Sequence, residues 1–438
     1  MQEAIKTDLS ATPEAALLAR RHRLLGKAAP LFYDTPLHIV RAEGVWIYDA
    51  HGRAYLDAYN NVPVVGHCHP RVVNAIASQA ARLNVHSRYL HETVLDYVER
   101  LTATFDGSLD MAVLTCTGSE ANDVALQLAR QHSGGRGILC TNLTYHGNTT
   151  AVSALSTLFS GGRSRSPEVR AVTFPDCYRP LNGLSGETLI DAHLDEIREA
   201  IASLKDEGAG FAGMLACPIF ANEGLPTVPV GYWPRVAQLV REAGGLLIFD
   251  EVQAGFGRTG NMWGQQLAGV VPDIVTLGKP MGNGHPVAGV VARGALIEAF
   301  RDEVMYFNTF GANPVSCAAA LAVLDVIAEE GLPGNARATG QHLADGMRAL
   351  QARHPLIGDV RGQGLFFAIE LVTDREAKTP AGQIAKRVVN DMKERGVLIS
   401  RVGQFDNILK IRPPLPFSTS HADQLLSTFD ACLTALGE

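Results

Sequence analysis

Two apolar runs in this chain end in side chains that buried strands seldom deliver. Leu246-Leu247-Ile248-Phe249 stops at Asp250 and Glu251, and 29 residues after Asp250 the run Ile274-Val275-Thr276-Leu277 stops at Gly278-Lys279. Open α/β sheets bind ligands beyond the C-terminal ends of their strands. A buried carboxylate at such an end needs a cationic or protonated partner, and a pyridinium nitrogen is one. A lysine in that place is paired or chemically engaged. Taken singly, the acids read equally well as caps of the next helix, and Lys279 as a surface lysine. A third segment, Thr117-Gly118-Ser119-Glu120, follows the apolar run Met111–Thr115 and precedes helical spacing through Val124 and Leu128. The unpaired N–H groups and dipole of a helix start favour an anion. Gly118 lets the backbone approach a phosphate and Ser119 adds a hydroxyl, unless Ser119 is only an N-cap.

Two other patterns point elsewhere and are weaker. Gly255-Phe256-Gly257-Arg258-Thr259-Gly260 satisfies the dinucleotide-binding spacing, with Asp273 downstream. In that fold, however, the ribose-binding acid ends its strand, whereas Asp273 begins one. Neither Gly26-Lys27 nor Gly278-Lys279 is followed by Ser or Thr, so no phosphate-binding P-loop is present. His67-Cys68-His69 would put two imidazoles on one face of a strand, but no second ligand pair stands nearby, so no metal is expected.

These residues need a framework that brings strand ends together. From Met111 onward, short apolar runs alternate with helical stretches, as in a mainly parallel sheet with crossover helices. The expected strands are 111–115, 137–140, 213–217, 246–249, 274–277 and 287–292. The last third reads as a smaller α/β unit, with strands 365–371, 397–400 and 408–411 and helices 381–395 and 422–436. A long helix from Pro314 joins the two units. Residues 45–57 have hairpin character around Ala50-His51-Gly52, and 160–167 is a Gly/Ser/Arg loop. The expected division is 1–60 as an N-terminal segment joining the small domain, 61–312 as the large domain and 313–438 as the small one.

Composition narrows the partners. The 438 residues carry a net charge of −7 and no long Lys/Arg run, which argues against nucleic acid. The 43 glycines suit many strand-to-helix turns. Seven scattered cysteines read as free thiols of a reducing compartment. Met1 to Ser10 is too polar for a signal peptide, and no stretch is apolar enough to span a membrane, so the expected location is cytoplasmic.

In combination the motifs resemble the class III aminotransferases, a family of fold-type I enzymes that use pyridoxal 5′-phosphate. The likeness rests on Gly118-Ser119-Glu120-Ala121-Asn122, Tyr145-His146-Gly147, the run from Asp250 to Gly260, the run from Gly278 to Pro286, Asn308-Thr309-Phe310-Gly311 and Arg412-Pro413-Pro414-Leu415. It implies a seven-stranded, mainly parallel sheet in the large domain. It implies Lys279 as the Schiff-base lysine, Asp250 at the pyridine nitrogen, Gln253 near the ring hydroxyl, Gly118 and Ser119 at the cofactor phosphate, and Tyr145 stacked on the ring. It further implies that Thr309 reaches the phosphate from a second subunit, hence a homodimer or a dimer of dimers.

Members that use glutamate carry a strand-end Glu-Pro and an Arg three residues before Pro-Pro-Leu; this chain has Cys217-Pro218 and Lys410 there. Other stretches, among them Ser87-Arg88-Tyr89-Leu90-His91 and Pro175-Asp176-Cys177-Tyr178-Arg179, resemble the ethanolamine-phosphate and phosphohydroxylysine phospho-lyases. The expected substrate is therefore a small phosphorylated amine, O-phosphoethanolamine, cleaved to acetaldehyde, ammonia and phosphate. The alternative is an aminotransferase acting on an ω-amine or alanine with an oxo acid acceptor. Lys410 and Arg412 alternate with Ile411 on an expected strand, so both face one side, where they could form a cationic wall for a departing phosphate.

Overall fold

A computed structural model of the protein describes residues 13–164 and 166–437. The readings of Met1–Ser10, of the first part of the 1–60 segment and of Arg165 lie outside the described residues. After a helix Pro13–Leu25 comes a meander of β1 (Ile39–Glu43), β2 (Trp46–Asp49) and β3 (Ala54–Asp57). The turn between β2 and β3 is where it is expected: Gly52 has φ +82°, and Asp49 Oδ1 accepts the amides of His51 and Arg53 at 2.9 Å each.

The central sheet comprises β4 (Met111–Thr115), β5 (Ile138–Thr141), β6 (Val169–Val172), β7 (Gly213–Ala216), β8 (Leu246–Asp250), β9 (Ile274–Leu277) and β10 (Ala288–Ala292). Its order is β4-β10-β9-β8-β7-β5-β6, parallel except for β10, which runs against both its neighbours. Alternate residues of each strand feed opposite faces. Leu246 and Ile248 pack with Ala121, Val124 and Leu128 of the helix Gly118–Ser133. Leu247 and Phe249 pack with Ile190, Leu194 and Val236 from helices on the other side. Burial on both faces explains why the strands read as unbroken apolar runs.

The C-terminal part is built on β11 (Ile357–Gln363), β12 (Phe366–Asp374), the two-residue β13 (Thr379–Pro380), β14 (Val397–Leu398), β15 (Ser400–Val402) and β16 (Ile408–Ile411). The single strand expected at 397–400 is in fact two. Val397 and Leu398 pair in parallel with Leu56 and Asp57 of the N-terminal meander, whereas Ser400–Val402 pairs with β16, so the chain changes sheets at Ile399. The helix Pro314–Glu329 is followed at once by Leu332–Arg353, which packs on β11. Asp325 holds Arg71 and Arg100 from two other helices. No described helix is long and apolar enough to cross a membrane.

Segment 67–69 is not a strand. His67 makes one isolated bridge to Gly44, Cys68 sits at φ 51°, and His69 caps the helix Pro70–Arg82. The imidazoles diverge: His67 Nε2 meets Asp57 at 2.7 Å and His69 Nε2 meets Glu330 at 3.1 Å. The glycines from 255 to 260 lie in a run of turns with no helix before Gln265, so they lack the strand–turn–helix context that pyrophosphate binding requires.

Candidate active site

Three strand ends meet at one edge of the central sheet. β4 leads into the Gly118 helix, β8 ends on Asp250, and β9 is followed by Gly278 and Lys279. Gly118, Ser119, Tyr145, Asp250, Gln253 and Lys279 line one cavity of about 120 Å³. Lys410 and Arg412 are not among them but lie behind Gln253, and neither is Thr309. Thr309 lies exposed beside Asn308, whose amide donates to Glu120 Oε1 at 3.2 Å and whose Oδ1 accepts the Gly311 amide at 3.0 Å.

The helix start at Gly118 is capped by Thr117, not by Ser119. The Thr117 hydroxyl accepts the Glu120 amide and the Glu120 carboxylate accepts the Thr117 amide, a reciprocal capping box. Ser119 is thereby left for another purpose; its hydroxyl meets Asn148 Oδ1 at 3.1 Å. Close packing explains the glycines: a Cβ on Gly118 would lie 3.2 Å from Val252 Cγ2, and one on Gly147, at φ +144°, would lie 2.4 Å from Ser119 Oγ.

Asp250 and Glu251 part ways. Glu251 caps the short helix Gln265–Ala268, accepting the amides of Gly264 at 2.8 Å and Gln265 at 2.7 Å; burial pushes its pKa up to about 7. Asp250 faces the cavity. Its Oδ1 accepts the Val252 amide at 3.0 Å, and its Oδ2 meets His146 Nδ1 at 2.7 Å and Asn122 Nδ2 at 3.2 Å. Burial raises the carboxyl pKa, but the His146 hydrogen bond and charge, the nearby Lys279 and the Val252 amide outweigh it and hold it below the usual carboxylate value. Asp250 is thus an anion with its lone pairs oriented before any ligand arrives. The sequence reading did not assign His146 or Asn122 a part in this.

Lys279 makes no hydrogen bond or ion pair to a described residue. The cleft opens over it, so its side chain is accessible, while protein surrounds it on the remaining sides. That desolvation, followed by the Arg412 guanidinium, holds its pKa below the ordinary lysine value against the attraction of Asp250. A lysine so placed deprotonates more readily and has an amine free to react.

Lys410 on β16 and Arg412 just beyond it do face one side, as their alternation predicts, and both donate to Gln253 Oε1; the Lys410 distance is 3.1 Å. Lys410 Nζ also donates to the Ala221 carbonyl at 2.7 Å, and Arg412 Nε to the Tyr59 carbonyl at 3.0 Å. Gln253 Nε2 donates to Asn222 Oδ1 at 3.0 Å, and Asn222 in turn donates to the Tyr145 carbonyl at 3.1 Å. Both cations are buried, at 3% and 7% exposure, and neither is ion-paired with a described carboxylate. Burial, then Arg412, then Lys279 hold the Lys410 pKa well below its ordinary value. Burial also lowers that of Arg412. A buried cation is stable only when paired or joined by an anion, and otherwise sheds its charge.

The arrangement fits pyridoxal 5′-phosphate. A glycine-lined helix start with the Ser119 hydroxyl beside it suits the phosphate, the pre-ionised Asp250 suits a protonated ring nitrogen, and the amine of Lys279, with no partner among the described residues, suits the aldehyde.

Comparison with known proteins agrees with this chemistry. The family described as aminotransferase class-III matches residues 31–433. A Drosophila melanogaster protein, alanine–glyoxylate aminotransferase 2-like, is 40% identical over 95% of this chain and 86% of its own. The ethanolamine-phosphate phospho-lyase homolog 1 of Caenorhabditis elegans is 37% identical over 98% and 97%. Among solved structures, a phospholyase from Arthrobacter in complex with phosphoethanolamine superposes with a TM-score of 0.92 at 46% identity, covering 96% of this chain and 99% of that one.

Proposed function

The chain belongs to the class III aminotransferases, fold-type I enzymes that work with pyridoxal 5′-phosphate, and from that premise we propose that it is a phospho-lyase that eliminates phosphate from O-phosphoethanolamine, giving acetaldehyde, ammonia and inorganic phosphate. What carries the reading is the pair Lys410 and Arg412: two buried cations converge on a neutral amide oxygen, with no carboxylate among the described residues paired to either. The phosphoethanolamine in the Arthrobacter relative supports the same substrate class.

When bound, the cofactor supplies an electron sink for charge left on a deprotonated carbon. Lys279, with its depressed pKa, takes the proton from the substrate carbon that bears nitrogen. Asp250, fixed by His146, Asn122 and Val252, would hold a proton on the ring nitrogen. Lys410 and Arg412 stabilise the charge that develops on the leaving phosphate, a demand that transamination does not make. Gly118 and Ser119 would hold the cofactor phosphate, Tyr145 would lie on the ring, and Gln253, oriented by Asn222, would serve the ring hydroxyl. The division into large and small domains, and a homodimer in which Thr309 serves the neighbouring site, belong to the same reading. So does a cytoplasmic location.

The test is incubation with phosphoethanolamine in the absence of any oxo acid, followed by assay of free phosphate and acetaldehyde. Stoichiometric release of both is expected. No release, together with brisk transfer from alanine to an oxo acid, would assign the chain to the aminotransferases, as the name of the Drosophila relative suggests.

A further inference from the structure

A phosphate monoester is largely dianionic at neutral pH. If its carbon–oxygen bond broke with no proton supplied, phosphate would leave as a trianion, and charge alone is a poor remedy for that. The cation pair beside Gln253 is chemically unequal. Arg412 cannot give up a proton at any accessible pH. Its guanidinium is locked against the Tyr59 carbonyl and ring. Lys410 can. Its Nζ carries three protons, two of them directed at the Ala221 carbonyl and Gln253 Oε1, while the nearest acceptor for the third is Asn222 Oδ1 at 3.5 Å. No carboxylate among the described residues is ion-paired with it; Glu223 acts on it only at longer range.

We propose that Lys410 is the general acid of the elimination, delivering a proton to the bridging oxygen of the departing phosphate while Arg412 remains a fixed charge. The inference rests on the phospho-lyase reading. The Cβ–O bond breaks with its electron pair going to oxygen, one Nζ proton passes to that oxygen, and hydrogen phosphate leaves as a dianion. Lys410 becomes a neutral amine. The proton that Lys279 takes from Cα balances the one Lys410 gives, so exchange with solvent returns both lysines to their starting state without a further acid. The lowered pKa of Lys410 favours the role, because a weakly held proton is transferred at less cost. The charged and titratable groups around it are Arg412 beyond its own strand, Lys279 after β9, and Cys217 and Glu223 after β7.

Lys410→Arg separates charge from proton donation, and two substrates separate this inference from the reading beneath it. Phosphoethanolamine needs a proton on its leaving group; ethanolamine O-sulfate, whose sulfate departs as a stable dianion, does not. For Lys410→Arg the expected result is a kcat loss of at least about a hundredfold on the phosphate ester, with KM held within a few-fold, and little loss on the sulfate ester. The alkaline limb of the wild-type kcat/KM profile should vanish in the variant, and this decides the matter if the wild type does not accept the sulfate ester. Equal losses on both esters, or an unchanged alkaline limb, would overturn the proton-donor role and leave the phospho-lyase reading standing. Absence of phosphate release by the wild type would instead remove the reading on which the inference rests.

Discussion

Asp250→Asn is the sharpest probe of the site, because the substitution preserves shape and removes only charge and one acceptor. The native carboxylate accepts from Val252 through Oδ1 and from both His146 and Asn122 through Oδ2. An asparagine that keeps the Val252 bond must place its NH2 against the Nδ2 of Asn122, 3.2 Å away, and against His146 Nδ1, 2.7 Å away. His146 can relieve its side by adopting the other tautomer and donating to Thr144 Oγ1 from Nε2, which is 3.1 Å distant. Asn122 can do so only by turning its amide over, which offers Oδ1 to the new NH2 but forfeits the Nδ2 bond to the His146 carbonyl at 2.7 Å. One buried group is left badly paired, which costs about 1–3 kcal/mol of stability. The catalytic loss should be larger. Removing a single preorganised neutral donor elsewhere costs about 2.7–4 kcal/mol, or roughly 10²–10³ in rate, and here a full charge is lost, the one proposed to keep a ring nitrogen protonated. The assays are a denaturant midpoint for the apo-protein and kcat for phosphate release by the holoenzyme. Turnover within tenfold of wild type would refute the role given to Asp250, and an unchanged midpoint would refute the hydrogen-bond account.

Borohydride reduction of the holoenzyme should fix the cofactor to Lys279, as read by peptide mapping, and Lys279→Ala should lose both attachment and turnover; attachment to another lysine contradicts the assignment. Lys410→Met tests the buried charge. Because the folded pKa of Lys410 lies below its unfolded value of about 10.4, the ammonium is penalised in the fold, fully at pH below the folded pKa and progressively less as pH rises toward the unfolded one. The variant should therefore gain apo-protein stability relative to wild type at neutral pH, and that gap should close as pH approaches about 10; a gap that widens with pH has the wrong sign. For Thr309, hybrids of Lys279→Ala and Thr309→Ala chains should contain one intact site and recover activity that neither variant shows alone, whereas two half-damaged sites would place Thr309 in its own chain's site.

The reactive residues were legible because each breaks a local rule. Asp250 and Lys279 end apolar strands, and Lys410 and Arg412 put two cations at alternate positions at the end of another; the pattern draws attention to them, and the family resemblance chose among their readings. Their supporting residues obey local rules and stay invisible. His146 lies in a loop and Asn122 on a helix, and only the fold sets them against Asp250, although a buried strand-end acid does announce that donors must come from somewhere. The capping role of Thr117 could have been read from Thr117 and Glu120 at their spacing. β6 escaped because it is four residues long and carries Arg170, with no alternation long enough to register. The break at Ile399 has no local signal: Val397 and Leu398 have β-branched or apolar side chains suited to either sheet, and their partner, β3, lies at the other end of the sequence.

That pairing of β3 with β14 gives the protein a timetable. Every strand of the central sheet has been made by Ala292, so the helix Gly118–Ser133, Asp250 and Lys279 can assemble while the chain is still being synthesised. The N-terminal meander must wait for Val397 to emerge, on the order of ten seconds later at about 5–20 residues per second. Lys410 and Arg412 arrive later still, and Arg412 is seated by its amide on the Ala58 carbonyl just after β3. The nascent enzyme therefore passes through a stage in which the sheet-edge residues are in place but the cationic wall is not. A ribosome-bound chain ending near residue 395 should retain cofactor-binding elements yet carry an unpaired strand edge at β3, the surface on which a chaperone or a second nascent chain would first take hold.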